Sequence, residues 1–204
     1  MDGPSLMLRD PAPMLARTLQ AWGGHQALWL FAYGSLLWKR DFEVAEHRSA
    51  RVQGWHRAFR MRSRVNRGSA QEPGLVFALM PGGACRGAVF RLPAEAAEAT
   101  LHSLWEREMP TGVYDPRWLV CQTADGPVAA LAFTLARHSP AHTGHLDDTQ
   151  LLHVLRHARG RYGSTLDYLV QTAAALRDQG IRDAEVQRLV ALAGRHGLVP
   201  SAKA

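Results

Sequence analysis

From Ala27 to Tyr33 the chain is almost wholly apolar, with no helical spacing of polar residues, and it then breaks at Gly34-Ser35. Such a run reads as a buried strand, and the pair that follows it reads as a turn. The segment Phe31-Ala32-Tyr33-Gly34-Ser35-Leu36-Leu37-Trp38 therefore commits the chain to a sheet early and ends a core strand in a tight corner. A glycine at such a corner lets other groups approach the backbone closely, because no Cβ intervenes. Successive N–H groups in a turn can face an anion or a polarised carbonyl. A backbone cradle for a small acidic substrate is one reading of the corner, and an ordinary strand-to-loop turn is the other.

The remaining elements follow from period and punctuation. Met1–Pro13 reads as a loose arm, Met14–Trp22 as a short helix closed by Gly23-Gly24, and Leu37–Ser49 as a charged loop. Arg51–Arg62 alternates in part and reads as a strand bent near Gly54. Val65–Gly74 reads as a loop, and Leu75–Met80 and Cys85–Leu92 as strands joined in a hairpin by Pro81-Gly82-Gly83. Pro93–Met109 is the clearest helix, with Pro93 as its first residue. Arg117–Thr123 and Val128–Leu135 form a second hairpin around Asp125-Gly126-Pro127. Helices follow at Asp147–Ala158, Ser164–Gln179 and Asp183–Ala193, with Ser164 and Asp183 as N-caps and Gly180 and Gly194 as stops. Strands then helices give an α+β class with one mixed or antiparallel sheet that can curl into a barrel. The expected organisation is an N-terminal arm and short helix over residues 1–25, a single domain over 26–195 and a tail over 196–204.

One carboxylate breaks its helix's pattern. Ala97, Leu101, Leu104 and Trp105 form the apolar stripe. At about 100° per residue, Glu108 returns to within roughly 20° of Ala97, whereas Glu106 points away from the stripe. Glu95 and Glu98 suit the first turn, where the helix dipole favours a negative charge. Glu108 is at the last turn, where a negative charge is unfavourable, on the face that should be covered. Burial there raises a carboxyl pKa and yields a base and acid usable near neutral pH. The alternatives are a helix that ends before Glu108 and a structural pairing with Arg107 or Arg117.

Taken in this order, the motifs resemble the ChaC family of γ-glutamylcyclotransferases. The matching segments are Phe31 to Trp38, Arg51-Val52-Gln53-Gly54-Trp55-His56-Arg57-Ala58-Phe59, Asn66-Arg67-Gly68-Ser69 with Pro73-Gly74, and Arg86-Gly87-Ala88-Val89-Phe90. Leu104-Trp105-Glu106-Arg107-Glu108-Met109 follows, then Tyr114, then Gly163-Ser164-Thr165-Leu166-Asp167-Tyr168-Leu169. The resemblance runs from about Leu28 to Ala193. It implies a small mixed β-barrel with flanking helices and a helical C-terminal third. It also implies a cytoplasmic lyase that converts glutathione to 5-oxoproline and cysteinylglycine without a cofactor. It assigns the catalytic acid/base to Glu108 and γ-glutamyl binding to Tyr33, Gly34, Ser35 and Leu36, to which Leu37 and Tyr114 are added as contacts. The chain departs from the family pattern at Ala32, at Lys39-Arg40 and at the inserted Pro110-Thr111-Gly112-Val113.

Composition sets the outer limits. The chain has 204 residues, 47% hydrophobic, with a formal net charge of +6. That charge suits anionic small molecules and nucleic acid alike. Cys85 and Cys121 make no disulfide framework, which points to a reducing compartment. No apolar run is long enough for a membrane span, and the first residues lack a signal-peptide pattern. The basic run Arg51–Arg67 with Trp55 and Phe59 is the case for nucleic-acid binding, against a strand with one solvated face. His138, His142 and His145, and the pair His153 and His157, have metal-compatible spacings but no thiolate beside them. The expectation is no metal, no nucleic acid and no membrane, with an open oligomeric state. Ser35 has no general base beside it in sequence.

Overall fold

The computed structural model describes residues 9–200. Helix α1 spans Ala12–Trp22 and ends at Gly23, whose left-handed φ of 72° closes it. Strand β1 (Trp29–Ala32) is buried throughout and passes into a single 3₁₀ turn at Ser35–Leu37. Strands β2 (Glu46–Ser63) and β3 (Gly74–Arg91) follow. A 3₁₀ turn at Ala94–Ala96 leads into α2 (Ala97–Glu108). Pro93 is extended (φ −56°, ψ 135°), so it precedes this turn and is not the first helical residue. Strands β4 (Asp115–Thr123) and β5 (Gly126–Thr134) form the expected hairpin.

The sheet closes in the order β1-β3-β2-β4-β5, with β5 returning parallel to β1 through Trp29↔Ala130 and Leu30↔Leu131. Successive side chains on a strand face opposite ways, and the alternation in β1 separates two cores. Trp29, Phe31 and Tyr33 join Val52, Leu79, Val89, Cys121 and Ala132 in a cluster drawn from every barrel strand. Leu28, Leu30 and Ala32 belong to the larger cluster shared with the helices.

Pro81-Gly82-Gly83 does not reverse the chain. Strand β3 continues through it, and both halves pair with β2, from Ser63↔Gly74 to Glu46↔Arg91. Gly82 and Gly83 have φ of 110° and 70°, Gly54 across the ladder has 82°, and the register shifts between Gln53 and Trp55. Glycines at positive φ on both strands make a bulge that bends the ribbon without ending it. The hairpin expected within this stretch is therefore formed by β2 and β3 themselves, around the loop at residues 64–73.

The C-terminal third comprises α3 (Asp148–His157), a two-stranded ribbon of β6 (Arg159–Gly160) and β7 (Gly163–Ser164), α4 (Thr165–Asp178) and α5 (Ala184–Arg195). Ser164 and Asp167 form a capping box on α4, and Asp183 caps α5 through Val186 N–H. Gly180 stops α4 at φ 66°, as expected, but α5 runs past Gly194, and the left-handed glycine after it is Gly197. Of the expected N-terminal arm, residues 1–8 lie outside the described part, as do 201–204 of the expected tail. Arg9, by contrast, is tied down. Its guanidinium donates to Gly112 O (2.9 Å), Tyr114 O (2.8 Å) and Asp115 Oδ1 (2.6 Å).

Arg57 on β2 joins the barrel to α5. Its side chain is fully buried, and it donates to Tyr33 O and Arg86 O at 2.6 Å each and to Asp183 Oδ2. Removing one partner of a buried ion pair leaves the other charge uncompensated, which typically costs about 3–5 kcal/mol. Asp183→Ala should lose about that much in urea denaturation, since it also loses the α5 cap. Asp183→Asn, whose single amide oxygen can keep the α5 cap but which brings no charge to Arg57, should still lose most of that; near-parental stability would refute the ion-pair account.

Candidate active site

Glu108 ends α2, and its side chain is 15% exposed, whereas Glu106 lies out in solvent. The periodic reading of the helix thus holds to its last residue. Burial raises the Glu108 carboxyl above the ordinary 4.5, with Arg107 and then Lys39 pulling it back. Arg107 Nε is 3.2 Å from Glu108 Oε1. The same guanidinium donates to Lys39 O (2.8 Å), Ser35 Oγ (3.3 Å) and Asp41 Oδ2 (3.3 Å). Arg107 therefore fastens the end of α2 to the turn after β1 and keeps the acid beside it.

The turn itself is short of internal bonds. Leu37 N–H donates to Gly34 O, Trp38 N–H and Lys39 N–H donate to Ser35 O, and the N–H groups of Ser35 and Leu36 precede the first intrahelical bond. Gly34 has an ordinary negative φ, and its requirement is space: a Cβ there would lie 2.9 Å from the Tyr168 hydroxyl. The group that approaches the glycine is thus a tyrosine from α4.

An open cavity of about 200 Å³ is lined by Ser35, Lys39, Arg67, Arg107, Glu108, Tyr114 and Tyr168, among others. Of the residues assigned from sequence, Ser35, Glu108 and Tyr114 meet here. Tyr33 is buried behind the cavity, where its hydroxyl donates to Phe133 O at 2.7 Å. Leu36 is packed into the main core, and Leu37 lines a separate cavity with Trp38 and Phe90.

Tyr168 was not among the sequence-assigned site residues. It is 4% exposed, accepts from Phe77 N–H at 3.2 Å and stacks near Phe59. The signal lay in α4, whose covered face carries Thr165, Tyr168 and Thr172 among apolar residues. Burial pushes the Tyr168 hydroxyl up to about 12, and burial followed by neighbouring groups pushes Tyr33 and Tyr114 well above 10. All three phenols therefore hold their protons at neutral pH and stand near Glu108 as hydroxyls.

The histidines go elsewhere. His153 Nε2 is 3.0 Å from Glu72 Oε1, its ring lies 4.8 Å from that of His157, and His142 Nδ1 meets Arg137 O at 3.1 Å. Among the described residues no group of three or more His, Cys, Asp or Glu is placed to hold a metal ion. No helix among them is long and apolar enough to cross a membrane.

Comparison with known proteins covers the stretch of chain that contains these residues. The family model for ChaC-like protein matches residues 28–196. The chain is 36% identical over 176 residues to the glutathione-specific γ-glutamylcyclotransferase of Escherichia coli K12, covering 84% of this chain and 75% of that protein. It is 33% identical to mouse glutathione-specific γ-glutamylcyclotransferase 1 over 83% of this chain and 77% of the relative. The crystal structure of a glutathione-specific γ-glutamyl cyclotransferase from yeast superposes with a TM-score of 0.76 at 18% identity, covering 84% of this chain and 97% of that one. That structure shares the fold: a closed barrel with flanking helices.

A raised carboxyl pKa has a stability consequence. The folded state holds the Glu108 proton above 4.5, where the unfolded chain has released it. Over that window the native state binds more protons, so stability falls as pH rises. Glu108→Gln removes the ionisation. In urea denaturation its stability relative to the parent should increase between pH 4 and pH 7, and a pH-independent difference would contradict the burial argument.

Proposed function

The chain belongs to the ChaC family, and from that footing we propose that it folds the γ-glutamyl arm of glutathione back on itself, releasing 5-oxoproline and cysteinylglycine. The reaction is an intramolecular aminolysis. The substrate's α-amino nitrogen forms a bond to the γ-amide carbonyl carbon, and the bond from that carbon to the cysteinyl nitrogen breaks. The ammonium must first lose a proton, and the departing nitrogen must gain one. One carboxylate that can hold a proton at moderate pH serves both transfers.

Glu108 is that carboxylate. Partial burial makes it a stronger base than an exposed glutamate, and Arg107 keeps it anionic enough to accept the ammonium proton. After ring closure it passes that proton to the leaving nitrogen as the C–N bond breaks, then takes the second proton from the ring nitrogen and hands it to the released amine, which departs as the ammonium. The N–H groups of Ser35 and Leu36, which have no acceptor among the described residues, suit the α-carboxylate or the developing oxyanion. The Tyr114 and Tyr168 hydroxyls, held neutral by burial, supply further donors on the cavity wall. Holding the substrate folded supplies much of the rate through proximity. The observation that carries this reading is that Glu108 and Ser35 line one cavity and are joined through Arg107.

The same structure argues for a small-molecule partner over nucleic acid. Of the basic run, Arg57 and Arg67 are buried, and Phe59 packs on Phe77 in the core, where it cannot stack on a base. A cytoplasmic location fits the two cysteines, both unpaired, with thiols that burial pushes up to about 11 at Cys85 and about 12 at Cys121.

Glu108→Gln should fold and retain no more than about 1% of 5-oxoproline release from glutathione, a loss on the scale of general acid–base catalysis. Glu106→Gln should stay within about twofold of the parent, as expected for an exposed residue. Activity should fall on the acid side as Glu108 takes up its proton, with a midpoint above 4.5. Retention of more than a few per cent activity by Glu108→Gln would remove Glu108 from the mechanism.

A further inference from the structure

Two parts of the chain have no task in the mechanism above: the residues just before α1 and the inserted Pro110-Thr111-Gly112-Val113. They meet at the cavity. Pro110, Thr111 and Val113 line it together with Glu108, and the insertion leads from the end of α2 to Tyr114 on the same wall. Residues 109–114 lie between α2 and β4, outside any helix or strand, so no regular ladder sets their path. Their own turn is closed by Gly112 N–H donating to Met109 O at 3.0 Å.

The carbonyls of this stretch are met by one residue. Arg9 N–H donates to Thr111 O (3.4 Å), its Nε to Gly112 O (2.9 Å), and one terminal nitrogen to both Val113 O (3.3 Å) and Tyr114 O (2.8 Å). The other terminal nitrogen pairs with Asp115 Oδ1 at 2.6 Å. Four successive carbonyls, from Thr111 to Tyr114, are thus held by Arg9. A guanidinium presents its N–H groups in fixed directions, and bonds from a charged donor are the stronger kind. The Arg9 side chain is 46% exposed, so its ion pair with Asp115 adds little by itself; what the residue contributes is direction. A second contact ties the same segment to α2, where Trp105 Nε1 donates to Pro11 O at 2.9 Å. Asp10 Oδ1 accepts from Ala12 N–H, which secures the segment to the start of α1. Arg9 to Pro11 therefore touches the chain on both sides of Glu108.

We propose that Arg9 is a positioning residue for the reaction: it fixes the turn over residues 109–114 and so sets the Tyr114 phenol relative to Glu108. The proposal rests on the γ-glutamylcyclotransferase reading above and adds to it a residue that touches no substrate. Small displacements of a wall group suffice for such an effect, since a shift of about 1 Å costs up to about a hundredfold in rate.

The test follows 5-oxoproline release from glutathione by the full chain as wild type, Arg9→Gln, Arg9→Lys, Tyr114→Phe and the double variant Arg9→Gln/Tyr114→Phe. Release by wild type checks the parent reading on its own, and its absence would sink that reading. Arg9→Gln should lower kcat about tenfold, with a smaller change in KM, while keeping a single cooperative melt. Arg9→Lys, whose ammonium lacks the planar fork, should recover part of the loss. Tyr114→Phe should also be slower than wild type. In that background Arg9→Gln should cost no more than about twofold, because the positioned hydroxyl is already gone. The proposal is overturned if Arg9→Gln keeps the wild-type kcat, if Tyr114→Phe is silent, or if Arg9→Gln costs as much in the double variant as alone. Should Arg9→Gln not fold, the same cycle run with Arg9→Lys decides.

Discussion

The Arg57 guanidinium, closed off from water on β2, gathers the carbonyl that ends β1, a carbonyl on β3 and the carboxylate that begins α5. A cation in that position must find acceptors in fixed directions, so it determines where those segments meet. Tyr33 is the last residue before Gly34, and the turn that follows is aimed by the same anchor. Glu185, two residues past Asp183, accepts from Phe59 N–H at 3.0 Å, near the second register shift of β2. The helical third is thus joined to the barrel by polar contacts at specific atoms as well as by apolar packing.

Within this frame the site gathers groups that are unfavourable to the fold. A carboxylate at a helix C-terminus opposes the macrodipole, burial disfavours the charge of Arg67, and tyrosine hydroxyls crowd one acid. Each feature opposes stability, and the function proposed above gives it a use in proton transfer or in contact with charge. This is the usual exchange of stability for activity at a working site.

Much of this organisation was readable beforehand, for reasons particular to each element. Glu108 was conspicuous because a twelve-residue helix gives enough turns to define a face. The capped helices were legible because Ser164 and Asp183 announce their starts locally. The Pro81-Gly82-Gly83 stretch was misread because proline and glycine mark a chain reversal and a bulged bend equally well; only the pairing with Gly54 across the ladder separates them. Tyr33, read from sequence as a substrate contact, continues the alternation of β1 by one residue, and its hydroxyl donates to Phe133 O. Tyr168 and Arg67 stand in motif segments but escaped notice as site residues, because a tyrosine on a covered helix face reads as core and an arginine in a loop reads as solvated. They reach the cavity from α4 and from the β2–β3 loop, and only closure of the barrel brings those together.

The attachment of Arg9 reaches further than its place near the start of the chain suggests. Its guanidinium clasps the backbone carbonyls of Gly112 and of the tyrosine at position 114 itself, across more than a hundred residues of sequence. Gly112 lies so close beneath the Arg9 carbonyl that no side chain would fit. The wall that carries this phenol is therefore buttressed by a segment preceding the family-matched region. Evolution or engineering that trims, extends or recombines the front of the chain is altering the wall of the Glu108 cavity by remote means, even when every motif of the barrel is left intact.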